Sequence, residues 1–202
     1  YVKVGPNPDG ITIANERIYT ADTDGMNWPS QSTRVSVVDI NSFEFEKTIT
    51  VSLNPNYIYS DSDGDVYVIC MSDYSDDKSY IVQRIDAKTD EVKTVEGIKA
   101  YKMTVADDIA YIMFNDYYAN EVKYYKYDLK NEKLLSDNFI TDGTVVSSPN
   151  GIGVDPVTGD IYVGKSNKKN NGDVYVFSSE GKLKSQFETL PYPADFVFMT
   201  NK

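Results

Sequence analysis

The 202-residue sequence predicts an all-β fold, a β-propeller built of four-stranded antiparallel blades, and three observations carry that expectation. A strand-opening motif recurs at Pro8-Asp9-Gly10-Ile11, Pro55-Asn56-Tyr57-Ile58, Ala100-Tyr101-Lys102-Met103, Pro149-Asn150-Gly151-Ile152 and Pro193-Ala194-Asp195-Phe196, at spacings of 47, 45, 49 and 44 residues. A period in that range marks a propeller or a solenoid. The first four openings each lead through three further short strands, rich in β-branched and aromatic residues, with Asn, Asp or Gly in the turns. No apolar stripe at the helical period is long enough to form a helix.

Within each unit the second strand keeps a tyrosine in register, at Ile18-Tyr19, Val66-Tyr67, Ala110-Tyr111 and Ile161-Tyr162. The clearest copy spans residues 149–165: the first strand stops at Asp155-Pro156, turns through Thr158-Gly159-Asp160 and returns as Ile161-Tyr162-Val163. Third strands follow at residues 35–39, 81–86, 124–128 and 174–178, and fourth strands at 45–51, 91–95, 133–139 and 182–187. Blades therefore fall at about 5–51, 52–97, 98–143 and 144–191, with 192–202 opening a further one. Tyr1-Val2-Lys3-Val4 reads as an outermost strand and residues 194–200 as an innermost strand. If those two ends shared a blade it would lack both middle strands and leave open sheet edges. The expectation is the C-terminal portion of a single propeller domain of seven blades, completed by upstream blades of the same protein.

Composition removes several function classes. At 41% hydrophobic and 25% charged the chain can build a core, and no run of 18 apolar residues suggests a membrane span. Thirty-one acidic against 20 basic residues, a net charge of -11, argue against nucleic acid as a partner. Histidine is absent, which removes the usual general base of catalytic triads and the imidazole ligands of zinc and copper sites. The single cysteine, Cys70, lies on a second strand and reads as a small buried hydrophobe.

In a propeller the connections from second to third strand, and from each fourth strand to the next blade, emerge on one face. The second-to-third connections are long, at residues 22–33, 71–80, 115–121 and 165–173, whereas turns on the opposite face are short, as at Asn15-Glu16 and Asp107-Asp108. Binding residues concentrate on loops held by a rigid scaffold. The only tryptophan, Trp28, sits in such a loop, as do Tyr74, Tyr117 and Tyr118; with Asn167 and Lys168 they form a candidate ligand-binding set. Flat rings with a polar edge suit a sugar, a planar macrocycle or a protein partner. The same rings also suit a covering role over the blade edges.

Asn7, Asp9, Asn54, Asn56, Asn150 and Asp195 lie at or beside the starts of first strands. Oxygen donors converging on an axis suit a hard cation such as calcium, with Asp9, Asn56 and Asn150 as the metal candidates. The alternative is that these side chains cap turns through backbone hydrogen bonds. Asp61-Ser62-Asp63-Gly64-Asp65 lacks the downstream glutamate of a calcium loop and reads as a tight turn.

The motifs at residues 8–11 and 149–163, together with Val37-Val38-Asp39-Ile40-Asn41, resemble the YVTN, or YncE-like, propellers. The tyrosine-rich, acidic composition and the Pro193-Ala194-Asp195-Phe196-Val197-Phe198 strand are most similar to the surface-lipoprotein branch in Bacteroidetes, some members of which capture corrinoids for an outer-membrane transporter. That resemblance implies an exported protein, at the outer membrane, cell surface or periplasm, that needs no cofactor and captures a small molecule such as a corrinoid, or a glycan, on its loop face. Pro149-Asn150-Gly151 also resembles the asparagine metal-ligand motif of gluconolactonase-type propellers, which implies a metal-dependent lactonase or related hydrolase. A protein-interaction platform would use the same exposed rings, and fold does not choose among the three.

Overall fold

The computed structural model of the chain describes residues 1–73, 79–116 and 121–199 and divides into two compact units, Tyr1–Ala100 and Tyr101–Lys202. Unit one holds β1 (Pro8–Ala14), β2 (Arg17–Asp22), β3 (Arg34–Asp39) and β4 (Phe45–Thr50) in one sheet, and β5 (Pro55–Ser60), β6 (Val66–Cys70), β7 (Ile81–Ile85) and β8 (Val92–Lys99) in a second. Unit two holds β9 (Lys102–Ala106), β10 (Ile109–Asp116), β11 (Glu121–Asp128) and β12 (Lys133–Ser136), then β13 (Pro149–Val154), β14 (Ile161–Asn167), β15 (Asn170–Phe177) and β16 (Leu183–Thr189). Every sheet is an antiparallel meander in chain order, so each is a propeller blade, as expected. A 3-10 turn at Gly25–Asn27 is the only helical element among the described residues.

Local chemistry sets the turns. Asn15-Glu16 and Asp107-Asp108 both adopt left-handed φ, at 48° and 59° and at 50° and 60°, the backbone of two-residue hairpins whose twist matches that of the strands. At or just after the end of three of the four third strands an aspartate ties the next turn: Asp39 accepts the N–H of Asn41 (3.0 Å), Asp86 that of Lys88 (2.9 Å) and Asp128 that of Asn131 (2.9 Å). Of the four registered tyrosines Tyr19, Tyr67 and Tyr111 are buried, while Tyr162 is half-buried. Tyr19 packs with Val35, Val37, Ile58, Val66 and Val68 in unit one, and Tyr111 with Met113, Phe139, Ile152, Val163 and Phe177 in unit two.

Blade contacts rest on glycine. A Cβ on Gly10 would lie 2.6 Å from Asn56 O, so only glycine lets β1 approach β5 this closely, and Thr12 Oγ1 meets Ser60 Oγ at 3.1 Å two residues on. Gly151 repeats the arrangement in unit two, where a Cβ would lie 2.5 Å from Ala194 O. Residues 193–199 thus occupy the place that a following first strand takes on blade one. Tyr192, at φ 58°, reproduces the left-handed residue that precedes β1, β5 and β13: Asn7 (46°), Asn54 (60°) and Ser148 (53°).

Several expected boundaries are corrected. Through residue 199 the trailing segment pairs with no strand among the described residues and lies extended on blade four, Phe196 and Phe198 against the Tyr162 ring at centroid separations of 5.8 and 5.1 Å. Tyr1-Val2-Lys3-Val4 is not a strand either. The leading segment is held by point contacts instead: Gly5 N–H donates to buried Asp22 (3.1 Å), and Asp24 N–H donates to Pro6 O (3.1 Å). The fourth strand expected over 133–139 stops at Ser136. The connection expected over 165–173 is mostly strand, since β14 and β15 meet at a tip of residues 168–169.

Candidate functional site

The shortened β12 creates the most distinctive feature of unit two. Twelve residues, 137–148, lead from β12 to β13, against four from β4 to β5 and two from β8 to β9. A long connection in a compact domain marks a functional loop. Ser136 starts the excursion, its hydroxyl accepting Asn138 N–H (3.2 Å) and donating to Asn138 O (2.7 Å), while Asn138 Oδ1 accepts Ile140 N–H (3.0 Å). Short polar side chains here compete with the ladder for backbone groups and end the strand.

The segment is then anchored. Phe139, Ile140 and Val146 are buried in the core of unit two, and the Tyr111 and Phe139 rings meet edge to face at 5.5 Å. Thr141 N–H donates to Gly181 O (2.9 Å), and Asp142 accepts Leu183 N–H (2.7 Å), a bond that holds its carboxyl below the usual range. The phenol of Tyr124 donates to Val146 O at 2.7 Å, and burial pushes its pKa well above that of a free tyrosine, so it remains a donor.

Where the upper half of a fourth strand would lie, the structure has a cleft of about 350 Å³. Val122 and Tyr124 of β11 form one wall, Asn138 and Ile140 the base, and Thr144, Val145, Val146 and Ser147 the other wall. Strand β12 pairs only with Lys126, Tyr127 and Asp128, and above them Tyr124 bridges to Asn138. Backbone groups alternate sides along a strand. Phe139 N–H donates to Tyr124 O (2.8 Å) on the outer side of β11, so Val122, two residues earlier, also directs its N–H and C=O outward, into the cleft. None of the cleft residues carries a charge.

None of the sequence-derived candidates lines this cleft among the described residues. Trp28 is 65% exposed on the loop after β2. That loop is braced by Asn27 N–H to Asp24 O (2.9 Å), Ser30 N–H to Asn27 O (2.7 Å) and Ser32 N–H to Thr23 O (3.0 Å), with a cis peptide at Trp28-Pro29. Asn167 belongs to β14, its amide donating to Asn171 O (2.8 Å) and Asp173 Oδ2 (3.1 Å), which leaves it tied within the hairpin; Lys168 is the exposed tip. Tyr74, Tyr117 and Tyr118 lie outside the described residues.

Of the metal candidates, Asp9 and Asn56 belong to unit one and Asn150 to unit two, where its amide donates to Pro193 O (3.4 Å). Among the described residues no three His, Cys, Asp or Glu side chains cluster as a metal would require. Cys70 is buried and its thiol is pushed up to about 12 by that burial, which makes it unreactive. The carboxylates shifted most clearly are turn caps such as Asp86, brought down to about 2 chiefly by the Thr89 N–H.

The fold and cleft define a propeller-type scaffold with a loop-built pocket. No protein-family model matches the chain, and no curated protein matches it. Among solved structures it is similar to Kuenenia stuttgartiensis hydrazine synthase, at a TM-score of 0.62 and 14% identity over 85% of this chain and 51% of that one. It is also similar to a chain of a mitotic checkpoint complex, at a TM-score of 0.61 and 10% identity over 89% of this chain and 49% of the other. A quinoprotein alcohol dehydrogenase-like protein from Bacteroides thetaiotaomicron matches at a TM-score of 0.61 and 17% identity over 89% of this chain and 45% of that one. The chain spans about half the length of these proteins, and identities this low carry the fold alone.

Proposed function

We propose that this chain is a non-enzymatic ligand-capture propeller and that its ligand, a small molecule or a glycan, seats in the cleft beside Tyr124. The observation that supports this reading is the 12-residue excursion from β12 to β13, anchored at Phe139, Ile140 and Val146 so that it holds a pocket open rather than filling it. At about 350 Å³ the cleft is near the lower end of small-ligand sites, so a corrinoid would enter by one edge only. Capture at a cell surface or in a periplasm, with hand-over to an outer-membrane transporter, fits such a role. Further blades of the same protein belong to this reading because Ile11 is 67% exposed, whereas Ile58 and Ile152, at the same motif position, are each 4% exposed. Something of blade-like shape covers the equivalent face elsewhere, and an upstream blade would cover it here.

Titration of the full-length protein with cyanocobalamin and a glycan panel tests the reading. Saturable binding that Val145→Arg abolishes is expected, because Val145 is 82% exposed and can be changed without disturbing the core. Absence of saturable binding, or binding indifferent to that substitution, would overturn it. A protein-interaction surface is a second reading, favoured by Met26 and Trp28, which are 90% and 65% exposed on the braced loop after β2.

A further inference from the structure

Residues 193–199 are seated as a first strand is seated. Gly151, third in its motif copy, faces the carbonyl of Ala194, second in the next copy, as Gly10 faces that of Asn56. Left-handed Tyr192 stands where Asn7, Asn54 and Ser148 stand, and those three carbonyls accept an N–H from the end of the second strand or just past it, from Thr23 (3.2 Å), Met71 (2.9 Å) and Ser166 (3.0 Å). Each of β1, β5, β9 and β13 is the edge of its sheet, with a second strand along one side, and residues 193–199 have no such neighbour among the described residues. Val197, fifth in the motif, is 90% exposed, whereas Thr12, Tyr59, Thr104 and Gly153 at that position are half-buried or buried.

The four blades specify the strand that would fit this edge. The fifth motif residue always opposes the registered tyrosine: Thr12 with Tyr19, Tyr59 with Tyr67, Thr104 with Tyr111 and Gly153 with Tyr162. The fourth opposes a β-branched residue, Thr20, Val68, Ile112 or Val163, and the sixth an aliphatic one, Ile18, Val66, Ala110 or Ile161. Two-residue hairpins close on a hydrogen-bonded pair, here Ala14 with Arg17 and Ala106 with Ile109, and such pairs alternate along the ladder. The tyrosine pairs at the fifth motif position are therefore hydrogen-bonded ones, and Val197 presents its N–H and C=O to the open edge in the same way.

We propose that residues 193–199 are the inner strand of a further blade and dock an antiparallel strand from the upstream part of the same polypeptide, one that carries an aliphatic residue, a tyrosine and a β-branched residue in succession. The tyrosine exchanges both backbone hydrogen bonds with Val197, and its two neighbours lie beside Phe196 and Phe198 on the face turned to blade four. A second copy of the chain does not fit, because β2, β6, β10 and β14, which carry this tripeptide, are each paired on both sides. The proposal rests on the upstream blades of the reading above and not on any ligand.

Hydrogen exchange resolved to single amides, in the full-length protein and in the 202-residue chain alone, tests it. Val197 and Met199 should exchange at least about a hundredfold more slowly in the full-length protein. Phe196 and Phe198, whose N–H groups point to the other edge, should exchange alike in both. Val197→Pro, which removes a ladder donor, should lower the melting temperature of the full-length protein and leave that of the 202-residue chain unchanged. Equal exchange at Val197 in the two forms, protection at Phe196 instead, or an upstream sequence without the tripeptide overturns the proposal. Protection in the 202-residue chain that grows with concentration also overturns it, in favour of a second copy. Saturable ligand binding without protection at Val197 overturns the docked strand and leaves the capture reading in place.

Discussion

Lys102 Nζ lies 2.7 Å from Asp195 Oδ1 and 2.8 Å from Ala194 O, so a buried lysine on β9 holds the chain segment that lies across β13. The contact passes over Gly151, whose missing side chain leaves the space. Lys102, Gly151 and Asp195 occupy the same position in successive copies of the strand-opening motif, so the repeat itself brings cation, gap and anion into line. Lys102→Met should release the segment. Asp195 is 76% exposed at its side chain, so the ion pair is screened and the expected loss is about 1 kcal/mol, mostly from the bond to Ala194 O. Faster chymotrypsin cleavage after Phe196 and Phe198 is the readout, and unchanged cleavage would show that the aromatic contacts with Tyr162 suffice alone.

Gly151→Ala attacks the same packing from the other side. The added Cβ would sit 2.5 Å from Ala194 O, closer than real Cβ contacts occur, and the backbone on both sides has little room to shift. Overpacking of this kind costs about 1–3 kcal/mol. Gly10→Ala, with Asn56 O at 2.6 Å, should cost a similar amount in unit one, and thermal melts of the two variants compare them directly. A neutral result at either site would mean that the blades slide apart more easily than close packing implies.

Much of this architecture was legible in the sequence because blade geometry imposes demands at fixed places. Tyr19, Tyr67 and Tyr111 recur because three of the four second strands bury the same position. Asn15-Glu16 and Asp107-Asp108 announced hairpins through residues that tolerate left-handed φ. The cleft was not foreseen. Leu134, Leu135 and Phe139 read as one continuing fourth strand, and the interruption depends on hydrogen bonds among Ser136, Asn138 and Ile140 that an apolar count ignores. The run Ser136-Asp137-Asn138, three turn-forming residues in a row, was the available signal. The connection expected over 165–173 was misjudged for a related reason. Polar residues at a hairpin tip look like a loop in sequence, yet here the ladder continues to the pair Asn167 and Asn170, and the Asn167 side-chain amide donates to Asn171 O and Asp173 Oδ2.

Acid should weaken the blades through their turn caps. The carboxyls of Asp39, Asp86 and Asp128 are all held below the ordinary aspartate range, by Ser42 N–H, Thr89 N–H and the Asn131 side chain respectively, and Asp86 falls to about 2. A depressed folded-state pKa contributes stability that is fully present above the unfolded value and is lost as pH falls through the folded one. Melting temperature should therefore be flat at neutral pH and decline from the ordinary aspartate range, near pH ~4, towards pH ~2. Asp86→Ala should lower it at neutral pH and flatten the decline. A variant that kept the full acid slope would move the cause to other carboxylates.

Trp28 offers an optical test of the loop after β2. As the only tryptophan, and largely exposed, it should emit at long wavelength and be quenched readily by iodide in the free protein. Trp28→Ala should change stability by less than about 0.5 kcal/mol, since it removes little buried area. If Trp28 and Met26 engage a protein partner, addition of that partner should shift emission to the blue and protect the indole from quencher.

Tyr124→Phe separates the scaffold of the cleft from its occupancy. The change removes one oxygen and strands the carbonyl of Val146, a buried residue, which had accepted that hydroxyl at 2.7 Å. An unsatisfied buried acceptor costs about 1–3 kcal/mol, and the ring that packs edge to face on Phe139 at 5.4 Å stays in place. The fold should survive with a lower melting temperature, while Val145 and Ser147, flanking the freed carbonyl, lose their fixed position in the wall. Ligand affinity should then drop by more than the stability change alone would produce, because a wall that must be ordered on binding weakens the complex. Hydrogen exchange across residues 144–147, measured with and without saturating ligand, checks this. If exchange there rises in the variant and ligand restores protection, the Tyr124 to Val146 bond is what keeps the cleft preformed; if exchange is unchanged, the anchors at Phe139 and Ile140 are sufficient to hold it.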